Sequence, residues 1–313
     1  MNIYIVGHKS PDLDSIVVPV TYAEFLKKSK RYEGSNIIPV ASGQPNKETE
    51  FVFEKIGVEL PKPFDEVTLE KEDAIILVDH NEESQRHEKV VGEQVIEIVD
   101  HHKININFTS PIRIDAKPLG SSSALVYEYF DTYGIKPSEG ASKLMLAAIL
   151  SDTQGLKSST TTGYDSEVAH RLAEETGLDL EKFTFEIFKA KSDITGLSVE
   201  EIAKKDYKIL DFGGTKVFIN QLETVEPDKI LEMAKEIADA MENVKVELDV
   251  SQTYTVVTNV LKINSHIIYT TEEEQAIAEE AFTTEGDENV ADIGPLMSRK
   301  KDISPAIEKV ITK

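Results

Sequence analysis

Four short runs in the first third of the chain, Ile3–Val6, Ile37–Val40, Ala74–Val78 and Val95–Val99, are almost wholly apolar and rich in β-branched residues. A strand buried on both faces reads as a continuous apolar run rather than an alternation, so these four are predicted to be parallel strands. Between them, Ser15–Lys28 and Lys47–Ile56 carry amphipathic patterns long enough for crossover helices. Strand and helix in alternation predict an α/β fold built on a doubly wound, mostly parallel sheet. Helical patterns at Ser121–Tyr133, Glu139–Leu150, Asp165–Thr176 and Leu180–Lys189 are expected to cover it.

The texture changes after Lys191. Ser192–Gly196 is polar and turn-rich, and the pattern that follows is a short helix at Ser198–Lys204 and strands at Tyr207–Phe212 and Lys216–Leu222 around Gly213-Gly214. A boundary is therefore expected between a domain of residues 1–191 and a smaller mixed α/β domain of residues 192–313, with a short linker at about 192–196. Further along, the pattern predicts one helix over Asp228–Met241, strands near Tyr254–Val260 and Ile267–Thr270, a helix at Glu273–Phe282 and a short C-terminal tail.

Composition narrows the function. With 57 acidic against 34 basic residues the formal charge is −23, and the isoelectric point is near 4.7. A polyanion binder normally shows a basic face, so nucleic acid is not expected as a partner. The chain has no cysteine, which removes disulfides, thiolate zinc sites, iron–sulfur clusters and cysteine nucleophiles together. Ile3–Val6 is too short for a signal-peptide core, and no window approaches the roughly 18 apolar residues of a membrane span. The expectation is a cytoplasmic protein without a membrane partner.

In open α/β sheets ligands gather at the C-terminal ends of the strands. Here the first strand runs into Gly7-His8 and Pro11-Asp12-Leu13-Asp14, the third into Asp79-His80-Asn81, and the fourth into Asp100-His101-His102. Taken singly, Asp12 and Asp14 fit turn or N-cap roles and a lone histidine fits a structural one. Capping gives no reason for His and Asp to meet at three strand ends on one rim. Asp152 closes the apolar segment Leu144–Leu150, where a carboxylate is costly unless paired or bound to a metal.

His8, Asp12, Asp14, Asp79, His101 and Asp152 together offer two imidazoles and four carboxylates. Four negative charges balance two divalent cations, and a bridging carboxylate holds such ions about 3.5–4 Å apart in two-metal hydrolases. Asp79, on the middle strand, is the natural bridge. Imidazole mixed with carboxylate suits Mn²⁺ or Co²⁺ better than Mg²⁺ or Ca²⁺, and Mn²⁺ is the first choice. Such a pair would acidify a water for in-line attack on phosphorus. Ser298-Arg299-Lys300-Lys301 is one of few dense basic clusters and suits the anion of the substrate. The other, Lys27–Arg31, reads as a solvated helix end. His87, His170 and His266 read as structural.

GHKSPDLDS, VDHNE, VDHHK, SDT with the downstream KSSTTT, and the C-terminal SRKK occur in this order. The set closely resembles the manganese-dependent family II inorganic pyrophosphatases of the DHH phosphoesterase superfamily, from residue 3 to about residue 305. The resemblance implies hydrolysis of pyrophosphate to two phosphates at a dinuclear manganese site. One metal would be held by His8, Asp12 and Asp79, the second by Asp14, Asp79, His101 and Asp152. His102, Lys208, Arg299 and Lys300 would bind the phosphates and take part in catalysis. It further implies a DHH domain followed by a substrate-binding domain closing about a hinge near Ser192–Gly196, additional Mg²⁺ arriving with substrate, and a homodimer.

Three positions depart from the family pattern. Asp302 stands where an amide is usual, which would weaken the clamp; Gln154-Gly155-Leu156 replaces bulkier residues, with Ser159 in place of proline; and Ser10 replaces asparagine. No proposed ligand is lost, and there is no room for the tandem-CBS insert of regulated members. The rival readings are a short-chain exopolyphosphatase, which tends to carry Asn in place of the first-motif histidine, and a DHH oligonucleotide phosphodiesterase, whose GGGH signature does not occur here. A non-catalytic regulator would have lost some ligands.

Overall fold

A computed structural model describes the whole chain, Met1–Lys313, as two compact units, Met1–Lys191 and Ser192–Lys313. The first begins with β1 (Asn2–Val6), α1 (Leu13–Ser29), β2 (Asn36–Ala41), α2 (Lys47–Ile56) and the two-residue β3 (Lys62–Pro63). It continues with β4 (Ala74–Val78), β5 (Val95–Asp100) and β6 (Arg113–Ala116), then α3 (Ser122–Thr132), α4 (Glu139–Asp152), α5 (Gly163–Thr176) and α6 (Leu180–Lys191). The six strands are all parallel, in the order β3-β2-β1-β4-β5-β6. Strand order therefore reverses between β1 and β4, the switch point at which such sheets open a crevice.

Local sequence explains the framework. β4 is buried at every position, as its unbroken AIILV run requires. α1 starts at the Asp12 N-cap and α2 at Asn46, each side chain accepting from a backbone N–H three residues on. One face of the sheet carries Ile3, Ile5, Ile76 and Val78 into a core with α1 and α3–α6; the other buries Tyr4, Val6, Ile75 and Leu77 under loop residues including Phe64, Leu69, Ile106 and Phe108. Gly7 is obligatory where β1 turns toward α1, because a Cβ there would lie 2.2 Å from the Ser15 carbonyl oxygen.

The second unit contains α7 (Val199–Ala203), β7 (Tyr207–Phe212), β8 (Thr215–Thr224), α8 (Pro227–Leu231), α9 (Ala234–Glu247), β9 (Gln252–Asn259) and β10 (Asn264–Tyr269). α10 (Glu272–Phe282), β11 (Gly286–Asp287), β12 (Val290–Gly294), a π-helical turn at Arg299–Ile303 and α11 (Ser304–Ile311) complete it. Its mixed sheet runs β11-β12-β10-β9-β8-β7, with only β8 and β9 parallel. α10 and α11 pack on one face, and α7, α8 and α9 on the other.

Three expectations are corrected. The single helix over Asp228–Met241 is two, because Met233 bonds back to Ile230 at i−3 and tightens the chain between them. The C-terminal tail instead carries a helix, α11, which buries Ile307 beside Ile303 of the π-helical turn against the sheet; its four apolar positions, Ala306, Ile307, Val310 and Ile311, were too few to announce it. Arg31 is no solvated charge: its Nη1 reaches Glu97 Oε1 at 3.3 Å and the Tyr22 hydroxyl at 3.0 Å, and Glu97 is fully buried within β5. No helix is long and apolar enough to cross a membrane.

Candidate metal centre

The switch point brings the predicted donors together. Three overlapping groups each have ligand atoms within 4.8 Å of one another: His8, Asp12 and Asp79; Asp14, His101 and Asp152; and Asp79, His101 and His102. Asp79 joins them. It follows β4 in a left-handed backbone conformation, φ 58°, unusual for a residue with a side chain and held by its N–H to Val99 O at 2.9 Å. Its Oδ2 lies 3.6 Å from His8 Nε2, while its Oδ1 lies 3.3 Å from His101 Nε2.

Both imidazoles are oriented from behind. His8 Nδ1 lies 2.9 Å from Lys9 O, and His101 Nδ1 lies 3.0 Å from Leu119 O. A carbonyl can only accept, so each Nδ1 carries the proton and each Nε2 faces the carboxylates, the tautomer a metal-ligating histidine requires. Asp12 caps α1 through Ser15 N–H at 3.0 Å and also stands 3.5 Å from His8 Nε2, so one side chain caps the helix and faces the cluster. Asp14, fully buried, accepts from Ser122 N–H at 2.7 Å and Ser123 N–H at 3.1 Å at the start of α3.

The electrostatics test whether cations fit. Burial first, then Asp14 and Asp12, push the Asp79 carboxyl upward against the opposing pull of His101. Asp152 is raised well above the usual range by burial and by Asp14, Asp12 and Asp79, with Lys191 pulling the other way. Burial alone would lower both histidines, but hydrogen bonds to Asp12 and Asp79 outweigh it and raise His8 to about 9 and His101 to about 10. Carboxyls driven to keep protons beside imidazoles driven to gain them mark a surplus of negative charge that divalent cations would neutralise. The donor set fits.

Several neighbours escaped the sequence reading. Ser122 donates its hydroxyl to Asp79 Oδ1 at 2.9 Å, and Ser123 donates to Asp14; their only signal was the small-residue run Gly120–Ala124. Asp100, which the sequence placed at a strand end without a role, is fully buried and takes the His102 Nδ1–H at 2.9 Å and the Asn81 amide at 2.5 Å. Burial would raise its carboxyl, yet those bonds bring it down to about 2. The bond to Asp100, opposed by burial, raises His102 in turn. Ser151 donates to the buried Glu48 and lies 3.5 Å from Lys191 Nζ. A cavity of about 260 Å³ opens beside His8, Asp79, His80 and His102. Lys208, on β7, and Arg299 and Lys300, in the π-helical turn, belong to the second unit. His87 pairs with Asp65 at 3.3 Å, and His170 bonds Ser166 O at 2.7 Å within α5, as structural residues do.

The fold and the cluster define a class: the profile of the DHH family, N-terminal domain, matches residues 2–150, and that of the DHHA2 domain matches residues 185–310. The manganese-dependent inorganic pyrophosphatase of Methanocaldococcus jannaschii is 36% identical over 315 residues, covering 98% of each chain. That of Methanothrix thermoacetophila is 34% identical over 318 residues, covering 100% of this chain and 99% of the relative. The chain belongs to the family of manganese-dependent inorganic pyrophosphatases. A crystal structure from Methanococcus jannaschii assigned to the family II inorganic pyrophosphatases superposes with a TM-score of 0.65 at 34% identity, covering 99% of this chain and all of the other. An exopolyphosphatase-related protein from Bacteroides fragilis, 17% identical with a TM-score of 0.54 and covering 98% of this chain and 92% of its own, shares the fold.

Proposed function

We propose that this chain hydrolyses inorganic pyrophosphate to two phosphates at a dinuclear Mn²⁺ site. The observation that carries the proposal is Asp79, whose two oxygens face two different imidazoles, an arrangement that suits a carboxylate shared by two cations. His8, Asp12 and Asp79 would hold one cation, and Asp14, Asp79, His101 and Asp152 the other; Co²⁺ suits the same donors. When bound, the two cations supply Lewis-acid stabilisation of the phosphate charge and acidify the attacking water. Ser122 and Ser123 orient Asp79 and Asp14 through hydrogen bonds, so the ligands are preset before any cation arrives.

The phosphates fall to His102, Lys208, Arg299 and Lys300. His102, held at Nδ1 by Asp100 and raised by that bond, offers Nε2–H as a charged donor when protonated. Lys208 and Lys300 offer mobile point charges, and Arg299 offers a planar fork. On this reading residues 1–191 carry the metals and residues 192–313 the grip on substrate. An additional Mg²⁺ entering with pyrophosphate, a cytoplasmic location and a homodimer complete the proposal; sedimentation tests the last.

Titration of purified protein is expected to saturate at two Mn²⁺ per chain, and chelation to abolish phosphate release. Saturation at one metal with full activity would exclude the dinuclear reading. Asp79→Ala is expected to impair both sites; if it keeps both metals while Asp12→Ala loses them, the bridge is elsewhere. Pyrophosphate should exceed tripolyphosphate widely in kcat/KM, and equal efficiency on the longer chain would favour an exopolyphosphatase.

A further inference from the structure

Arg299 is already engaged inside its own unit. Its Nη1 donates to Asp206 O at 2.6 Å and lies 3.4 Å from Ile219 O, and its Nη2 donates to Asp206 Oδ1 at 3.0 Å. Only 14% of the Arg299 side chain is exposed, against 62% of Asp206. A guanidinium has five N–H bonds. The two on Nη1 and one on Nη2 are directed at protein oxygens, which leaves Nε–H and the second Nη2–H, a parallel pair matching two oxygens of one phosphate.

Asp206 is itself fixed. Its N–H donates to Asn220 Oδ1 at 3.1 Å, and its carbonyl accepts from Gln221 N–H at 2.8 Å, so it is pinned to β8. The side chain of Gln221 donates to Met297 O at 2.9 Å, holding the chain just before the arginine. Two residues after Asp206 comes Lys208, on β7 and paired in register with Ile219. One acidic residue thus ties the arginine to the strand that carries the lysine.

We propose that Asp206 is a positioning residue, which holds Arg299 through the end of its guanidinium so that the Nε edge is preset for a phosphate of the substrate. The inference rests on the reading of Arg299 as a phosphate ligand. An opposite role is physically conceivable, because a carboxylate beside an anion site repels the anion and competes for the arginine. The two roles separate by chemistry: Asp206→Asn keeps an acceptor oxygen at Oδ1 and removes the charge, whereas Asp206→Ala removes both.

The experiment measures kcat and KM for pyrophosphate, and the calorimetric affinity of the Mn²⁺-loaded protein for imidodiphosphate, a non-hydrolysable analogue, in Asp206→Ala, Asp206→Asn, Arg299→Ala and the double variant Asp206→Ala with Arg299→Ala. Asp206→Ala is expected to raise KM and weaken imidodiphosphate on the order of five- to thirtyfold, with Asp206→Asn recovering most of the loss and Mn²⁺ content unchanged. In the Arg299→Ala background the loss of Asp206 should add less than about twofold, because it acts through the arginine. A lower KM in both single Asp206 variants, wild-type behaviour of Asp206→Ala, or a full additional loss in the double variant would each overturn the proposal. If Arg299→Ala alone binds imidodiphosphate as wild type does, the phosphate role of Arg299 is refuted and the Asp206 inference falls with it. If Arg299→Ala is impaired and Asp206→Ala is not, the inference alone is lost.

Discussion

At the scale of single residues, Asp302 shows how tertiary contacts alter a reading made from charge. From sequence, an acid beside Lys301 either weakens the anion grip by repulsion or orders the loop by pairing with Lys301. Its Oδ2, however, accepts from Ser298 N–H at 2.9 Å, while Ser298 Oγ accepts from Lys301 N–H at 3.1 Å, so the carboxylate also closes the turn that presents Arg299 and Lys300. The two effects have different chemistry. Asp302→Asn retains an acceptor of the same length and drops the charge; it is expected to lower KM for pyrophosphate about two- to tenfold, since relief of about 0.4–1.4 kcal/mol of repulsion corresponds to that range. The gain should shrink at high ionic strength, where a long-range charge is screened. Asp302→Ala removes the acceptor as well and should raise KM. Kinetics of both variants at low and high salt check this; a salt-independent gain in Asp302→Asn would exclude repulsion as its cause. Ser10 is a second such residue: it occupies the left-handed region at φ 55°, which asparagine tolerates better than serine, so the departure from the family residue has a backbone cost.

At the scale of elements, the second unit is held by a buried carboxylate at a helix start. Glu274 is fully buried in the first turn of α10, where Thr271 completes a capping box. Its oxygens accept from Thr253 N–H at 2.7 Å, from Thr270 N–H at 2.8 Å and from Lys245 Nζ at 2.8 Å, joining α9, α10 and the strands β9 and β10. Burial would raise its carboxyl, but the bonds from Lys245, Thr270 and Thr253 prevail and hold it below the usual carboxylate range. A carboxyl depressed in the folded state stabilises fully above its unfolded value and loses that contribution as pH falls through the folded one. Glu274→Gln keeps an acceptor oxygen but leaves Lys245 with only the more distant carboxylate of Glu242, at 4.0 Å, and is therefore expected to cost about 2 kcal/mol at pH 7. The gap from wild type should narrow as pH drops below about 4.5. Denaturant melts at pH 7 and pH 4 test it; a gap that is constant or widens toward acid would contradict the assignment.

At the scale of the whole molecule, a chain of net charge −23 concentrates Asp12, Asp14, Asp79 and Asp152 in one of its two units. Cations that bind there stabilise the folded form by mass action, about 2.7 kcal/mol at a hundred times the dissociation constant. Calorimetry is expected to show Mn²⁺ raising, and chelator lowering, the melting of residues 1–191, while protection from hydrogen exchange in β8, β9 and β10 stays unchanged. Equal stabilisation of both units would contradict a metal site confined to the first. Much of this organisation could be read in the sequence. Strands such as Ala74–Val78 and helices such as Lys47–Ile56 announce themselves because burial and periodicity are local properties, and histidine and aspartate at strand ends are local too. β3 and β6 were missed because, at two and four residues, they are strands only through pairing with β2 and β5. Sequence also supplied the six proposed ligands, but not the fact that one oxygen of Asp79 faces each histidine. Nor could it supply the bonds that Ser122 makes to Asp79 across 43 positions, Ser123 to Asp14 across 109, and Arg299 to Asp206 across 93. Those pairings carry no periodic signal; they exist only because packing fixes the elements to within a hydrogen-bond length.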